Sequence, residues 1–330
     1  MPGLIEKIQG ILVTYCFSIA LALRNVCGMS DKKMDNVSLA RYTSWRVGGP
    51  AEKLFIPSSI EALRHFLQHF NKNESLQILG LGSNTLVRDG GVKGSVIIFA
   101  GSGLQALEKI EPTILRAEAG VSCATLARFA ARQNLGGMEF LAGIPGTVGG
   151  ALAMNAGAHG SDTWSHVISV ETMDRQGVRH TRLPNEFKIA YRSVDNVNDE
   201  FFIAAHFAHE ISTKDSSLAR IKTILAHRLA TQPGNLPNGG SVFRNPPGDY
   251  AGRLIEACGL KGYRFGESSI SEKHANFIVH EGKGSAQEIE HLIHLSQEGV
   301  ASRFGIVLMP EVKIIGYGIH DEKIATSHRS

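Results

Sequence analysis

Cysteine is scarce in this chain and never clustered. Cys16, Cys27, Cys123 and Cys258 are its four, with no CxxC spacing and no histidine pair at ligand spacing. That pattern excludes the common zinc frameworks and indicates free thiols in a reducing compartment. A Gly-Lys-Ser/Thr phosphate loop, a GxGxxG opening a Rossmann helix and a GxSxG elbow are all missing too. No dense basic patch with interleaved aromatics is present and the formal net charge is only +3, so nucleic acid is not an expected partner. The apolar run Ile11 to Leu23 has thirteen residues, short of the roughly 20 that span a bilayer. It has the length of a signal-peptide core, but no small-x-small cleavage site follows it. Residues 1–34 are therefore expected to be an extension outside the folded unit, or to precede the true start. No stable membrane insertion and a cytoplasmic location are expected. There are no internal repeats.

What is present is the composition of a globular protein: 330 residues, 43% hydrophobic and 20% charged. Two or three domains are expected from that length. The chain is organised around GMEFLAGIPGTVGGALAMNAGAHG, Gly137 to Gly160, in which seven of twenty-four residues are Gly. So many glycines disfavour a regular helix or strand. Phe140, Leu141, Ile144, Val148 and Leu152 would be wasted on a solvated linker. The expectation is a buried loop whose backbone passes close to something large, with Asn155 and His159 as its polar handles.

Around this stretch the chain reads as α+β. Ser59 to Lys72 has helical apolar spacing, Leu76 to Leu81 reads as a strand, and Ser122 caps a helix running to about Gln133. Ser95–Phe99, Thr113–Glu118, His166–Met173 and Phe201–Phe207 read as strands. Thr213 to Ser217 reads as a polar link and Leu218–Ala230 as a helix, which places a boundary near residue 214. Further on come a short helix Tyr250 to Cys258, a capping box at Ser285 and Glu288, and a strand Ile306 to Gly316 carrying Glu311.

Four places could carry chemistry. GLGSNTLV, Gly80 to Val87, follows a strand, where Gly82 allows close approach and Ser83, Asn84 and Thr85 offer donors; it fits either an anion cradle or a plain turn. Ser241, behind two glycines in GGSVFRNP, is a turn residue or a proton donor. Glu311 faces solvent in alternation with Lys313 or points into a site. Arg192 is a surface charge or a carboxylate clamp.

Taken together, TSWRVGGPA, GLGSNTLVRDGG, GIPGTVGGALAMNAGAHG, AYRS, QPGNLPNGGSVFRNP, AGRLIEACGLKG and PEVKIIG resemble, in order, the UDP-N-acetylenolpyruvoylglucosamine reductase (UDP-N-acetylmuramate dehydrogenase) family. The resemblance runs from about Tyr42 to Gly316. It implies an α+β, vanillyl-alcohol-oxidase-type FAD-binding fold: two FAD-binding subdomains (35–100 and 101–213), a substrate-binding domain (214–317) and a tail (318–330). The implied activity is reduction of UDP-N-acetylglucosamine enolpyruvate to UDP-N-acetylmuramate with NADPH through noncovalent FAD, in peptidoglycan precursor synthesis. Hydride would pass from reduced flavin N5 to the enolpyruvyl C3, and Ser241 would protonate C2. Arg192 and Glu311 are the other catalytic positions. The resemblance assigns FAD binding to Gly80, Gly82, Ser83, Asn84, Thr85, Gly143, Ile144, Pro145, Gly146, Val148, Gly149, Asn155, Gly157, Ala158 and His159. It assigns substrate binding to Tyr191, Asn245, Lys261 and His274.

Only 48 residues separate Arg192 from Ser241, which resembles the type of this family without an inserted Tyr loop. A monomer is expected. An FAD oxidase or a non-catalytic nucleotide-sugar binder would share parts of the pattern. SVFRNP and PEV speak against the first, and the joint presence of Arg192, Ser241 and Glu311 against the second.

Overall fold

A computed structural model describes residues 30–195 and 199–319, so the apolar run Ile11 to Leu23 lies outside the described residues. The first sheet contains β1 (Lys32–Ser38), β2 (Pro50–Ile56), β3 (Leu76–Leu79) and β5 (Val92–Ile98) in the order β1-β2-β5-β3. β1 and β2 are antiparallel, while β2 and β3 both run parallel to β5. β1 begins at Lys32, so the end of the expected extension is already paired chain.

Helix α1 (Ile60–Gln68) is capped by the Ser59 hydroxyl and buries Leu63 and Leu67 on this sheet. It ends four residues short of the expected Lys72. The strand β4 (Thr85–Val87) leaves the sheet and pairs elsewhere.

The second sheet takes β6 (Leu107–Glu111), β7 (Ile114–Glu118), β8 (Val167–Met173), β9 (Arg179–Arg182) and β12 (Phe201–Ala208) in the antiparallel order β9-β8-β12-β7-β6. Between β7 and β8 lie α2 (Cys123–Arg132) and α3 (Val148–Ala153). The Ser122 cap of α2 forms as expected.

Helix α3 corrects the sequence reading, because it lies inside the Gly-rich stretch. The burial of Val148, Ala151 and Leu152 outweighs the helix cost of its two glycines, and Thr147 caps it. A Cβ on Gly149 would stand 2.9 Å from the Ala119 Cβ. The large neighbour at Gly149 is the protein itself.

A short hairpin, β10 (Lys188–Ala190) and β11 (Ser193–Asp195), turns through Tyr191 and Arg192. Helix α4 (Lys214–Thr231) starts four residues before the expected Leu218, because Thr213 acts as its cap and not as part of a link. Ile221, Leu218 and Leu225 pack with Phe140, Leu141 and Leu126 in the second core. The helix that follows the boundary placed at 214 therefore packs on the core of the second sheet.

The last unit holds α5 (Ala251–Ala257), the sheet β13 (Arg264–Phe265), β14 (Ser268–Ile270) and β15 (Ile278–His280), and α6 (Ala286–Phe304) behind its Ser285–Glu288 capping box. Its core also takes Trp45, Val47 and Leu86 from the first hundred residues. The chain then returns as β16 (Lys313–Ile315), parallel to β4. The expected strand from Ile306 is thus only three residues long, and Glu311 precedes it.

Candidate functional site

The loop after β3 and the loop before α3 meet face to face. The Ser83 hydroxyl donates to the Pro145 carbonyl, and a Cβ on Gly80 would stand 2.5 Å from Thr147 Oγ1. Gly82 sits at φ +63°, and its Cα faces the Tyr42 carbonyl so closely that any side chain would collide with it. On the other side of the meeting the packing is looser: a Cβ on Gly150 would meet Thr147 Oγ1 at 3.7 Å and one on Gly146 would meet Ser83 Oγ at 3.6 Å, both ordinary contacts. Gly80, Thr147, Gly149 and Gly150, with the apolar Ile78, Phe99 and Phe202, line a cavity of about 190 Å³ between the two sheets. A larger cavity of about 620 Å³ is lined by Asn155, Gly157, Ala158, Tyr191 and Arg192 among others. The Gly-rich stretch therefore borders both.

Several residues expected to touch FAD also have polar groups engaged within the fold. The Val148 and Gly149 amides donate to Val121 and Ala119 carbonyls at 2.8 and 2.9 Å, so they are not free for an anion. Ile144 packs against the second core. Asn155 is buried; its amide donates to the Ala190 carbonyl at 3.4 Å and its carbonyl accepts from Trp164 N at 3.1 Å. Both of its polar ends thus fix the chain beside Arg192. The Gly143 carbonyl accepts from Arg228 of α4, a tie that sequence reasoning did not find. His159, at the tip of the hairpin through Gly157 and Ala158, lies edge-on to His227 at 5.6 Å. Thr85 pairs with Lys313 across β4 and β16.

The three residues expected to carry chemistry converge. Arg192 occupies the β10–β11 turn at φ +54°, a conformation that costs a non-glycine residue about 1 kcal/mol or more. Its Nε lies 3.0 Å from Glu311 Oε1. The pair has ion-pair contact without hydrogen-bond alignment, since this buried Nε finds no hydrogen-bond partner. Arg192 Nη2 donates to the Gly157 carbonyl at 2.6 Å.

Glu311 is held by its backbone. Its amide donates to the Val242 carbonyl at 2.7 Å, and its carbonyl accepts from Asn84 Nδ2 at 3.0 Å. Ser241 is the residue before Val242, so the same contact brings its loop to Glu311. Burial pushes the Glu311 carboxyl above the usual carboxylate range, against the pull of Arg192 and Arg244. Neither the solvent reading of Glu311 nor the surface reading of Arg192 survives.

The Ser241 loop is clamped by Asn276, which sequence reasoning did not single out. Its side chain accepts from Phe243 N at 3.0 Å and donates to the Phe243 carbonyl at 2.9 Å. The expected substrate residues are placed less uniformly. The Tyr191 ring lies 5.2 Å from the Arg192 guanidinium. Asn245 accepts from Ala251 N at 3.1 Å at the start of α5. Lys261 pairs with Glu256 at 2.7 Å. His274 Nδ1 accepts from Asn276 N at 3.2 Å, which leaves the ring proton on Nε2. No hydrogen bond or ion pair joins Lys261 or His274 to Arg192, Ser241 or Glu311.

The arrangement fits FAD on its own evidence. The cavity lined by Gly80, Thr147, Gly149 and Gly150, at a strand-loop and a helix start, makes a cradle for a phosphate-bearing ligand. At the Arg192–Glu311 junction, Arg244 Nε is buried without a hydrogen-bond partner, a state that costs roughly 1–3 kcal/mol unless a substrate group answers it. Two sheets with such a cradle, and a third unit delivering Ser241 and Glu311 to its edge, define an FAD-dependent oxidoreductase of the vanillyl-alcohol-oxidase type.

Residues 51–182 match the family described as FAD binding domain, and residues 232–315 the UDP-N-acetylenolpyruvoylglucosamine reductase C-terminal domain. UDP-N-acetylenolpyruvoylglucosamine reductase of Legionella pneumophila is 54% identical over 85% of this chain and 91% of its own length. That of Alkalilimnicola ehrlichii is 52% identical over 84% and 93%. The crystal structure of UDP-N-acetylenolpyruvylglucosamine reductase from Thermus caldophilus covers 88% of this chain and all of its own, with a TM-score of 0.72 at 31% identity. The chain belongs to the UDP-N-acetylenolpyruvoylglucosamine reductase family.

Proposed function

We propose that this chain reduces UDP-N-acetylglucosamine enolpyruvate to UDP-N-acetylmuramate with NADPH and FAD, a step of peptidoglycan precursor synthesis. The observation that carries the reading is the junction of Arg192, Glu311 and the Ser241 loop, made from three separate segments within a chain 54% identical to a reductase of that name. When bound, FAD relays hydride from NADPH to the substrate. The loops Gly80–Thr85 and Gly143–Gly146 would hold its diphosphate.

Ser241 would deliver the proton to the enolpyruvyl C2. Its hydroxyl has no hydrogen-bond partner among the described residues, so it is free to turn toward a substrate. The Arg192 guanidinium, paired to Glu311 and tied to the Gly157 carbonyl, would meet charge on the substrate carboxylate and developing enolate. The 620 Å³ cavity beside Tyr191 and Arg192 offers room for the sugar nucleotide. Asn245, Lys261 and His274 would contact its outer part, and no Tyr lid is expected to cover it. Among the described residues no helix is long and apolar enough to cross a membrane, and we place the enzyme in the cytoplasm as a monomer.

The absorption spectrum of purified protein tests the reading. A yellow protein should be bleached by NADPH and recover its colour anaerobically when the enolpyruvyl substrate is added. A colourless protein that takes up no FAD sinks the reading. Bleaching without substrate-dependent recovery leaves an oxidase in its place.

A further inference from the structure

Arg244 lies three residues beyond Ser241, on the most firmly stitched part of that loop. Val242 N donates to the Asn276 carbonyl and Arg244 N to the Met309 carbonyl, both at 2.9 Å, and Phe243 bridges to Pro310. The Arg244 backbone is therefore fixed within the C-terminal unit.

Its side chain leaves that unit. Nη2 donates to the Arg192 carbonyl at 2.9 Å, and Nη1 reaches the Tyr191 carbonyl at 3.5 Å. These are the two carbonyls of the β10–β11 turn, whose second residue is the left-handed Arg192. A planar guanidinium fork spans two neighbouring acceptors in a way that an ammonium cannot.

From these contacts we propose that Arg244 is a positioning residue: its fork holds the Tyr191–Arg192 turn in its left-handed form and so fixes Arg192 beside Glu311, tying that pair to the loop that carries Ser241. The inference rests on the reductase reading above. The chain's own connection between Arg192 and Ser241 runs through β11, β12 and α4, a path too long to set their spacing. Arg244 sets it in one side chain. Its charge acts in the same direction, because it faces Glu311 together with Arg192 and favours the ionised carboxylate that pairs with Arg192. Its Nε is buried and has no hydrogen-bond partner among the described residues.

The test compares full-length, FAD-loaded parent, Arg244→Lys and Arg244→Gln in the two half-reactions, followed anaerobically. Both variants should stay yellow and be bleached by NADPH within about twofold of the parent rate, while substrate-dependent recovery slows by up to about 100-fold, as small misplacements of a reacting group do. Free guanidinium should restore part of the recovery rate in Arg244→Ala, which a fold defect would not allow. Recovery at the parent rate in Arg244→Gln, or an equal loss in both half-reactions, overturns the proposal.

A crystal structure of Arg244→Gln gives a readout without turnover. A relaxed turn with Arg192 moved off Glu311 supports the role, and an unchanged turn overturns it. If the parent is bleached but not reoxidised by substrate, the reductase reading fails, and the crystal structure still decides whether Arg244 holds the turn.

Discussion

In the proposed reaction Ser241 supplies the proton from a single hydroxyl. Two glycines precede it, and a Cβ on Gly240 would meet no atom within 4 Å, so the loop leaves space in front of the serine. The loop itself is not loose, because Asn276 satisfies both backbone groups of Phe243. A fixed backbone with an unengaged hydroxyl is the arrangement a proton donor needs. Ser241→Ala should therefore leave NADPH bleaching of the flavin near the parent rate and slow substrate-dependent recovery by roughly 10²–10⁴-fold. Stopped-flow absorbance separates the two steps, and an unchanged recovery rate assigns the proton to another group. Cys123 invites no such role. It is fully buried and its thiol is pushed up to about 12 by burial, so it stays protonated and unreactive.

At the scale of elements, sequence read well wherever one local rule decided the outcome. The caps read at Ser122 and Ser285 each start a helix, because the hydroxyl answers a free amide of the first turn. Reading failed where tertiary burial overrode local cost, as in α3 within the Gly-rich stretch, or where a cap looked like linker, as with Thr213. The residues that deliver the site, Arg192, Ser241 and Glu311, were visible as motif positions. Their supports Arg244, Asn276, Arg228 and Trp45 were not, since each acts across at least 30 residues of chain on a partner that only folding brings near.

Trp45 is the clearest of these supports. It leaves the first subdomain to fill the third core, donating its indole N–H to the Ile278 carbonyl at 2.9 Å. A Cβ on Gly239 would stand 2.4 Å from its ring. Gly239→Ala must therefore shift the ring or the Ser241 loop, an overpacking cost of about 1–3 kcal/mol. Melting temperature and recovery rate should both drop. Should both stay at parent values, the ring is not what sets the loop.

At the scale of the whole molecule, buried titratable groups make stability depend on pH in a defined direction. In the second sheet Glu171 takes a bidentate pair from Arg116 at 2.6 and 3.0 Å and a further contact from Arg179 at 2.8 Å. Burial alone would raise its pKa, but Arg116, with help from His206 and Arg179, holds the carboxyl down at about 2. A carboxylate held below its unfolded value near 4.3 contributes stability that is present above that pH and lost on the way down to about 2.

His209 works in a higher window. Burial, opposed by the Gly136 carbonyl, lowers its pKa to about 4, whereas the unfolded imidazole takes its proton near 6.5. As pH falls through this window the unfolded chain binds the proton first and stability is lost. His166, His206 and His274 are lowered by burial in the same direction. The melting temperature should thus be level above about pH 7, decline between about 6.5 and 4, and decline again toward 2. His209→Gln cannot take up a proton in either state, so the drop in its melting temperature across the upper window should be smaller than in the parent. Scanning calorimetry of both proteins from pH 7.5 down to acid checks the sign, and equal upper-window losses would remove His209 as a cause.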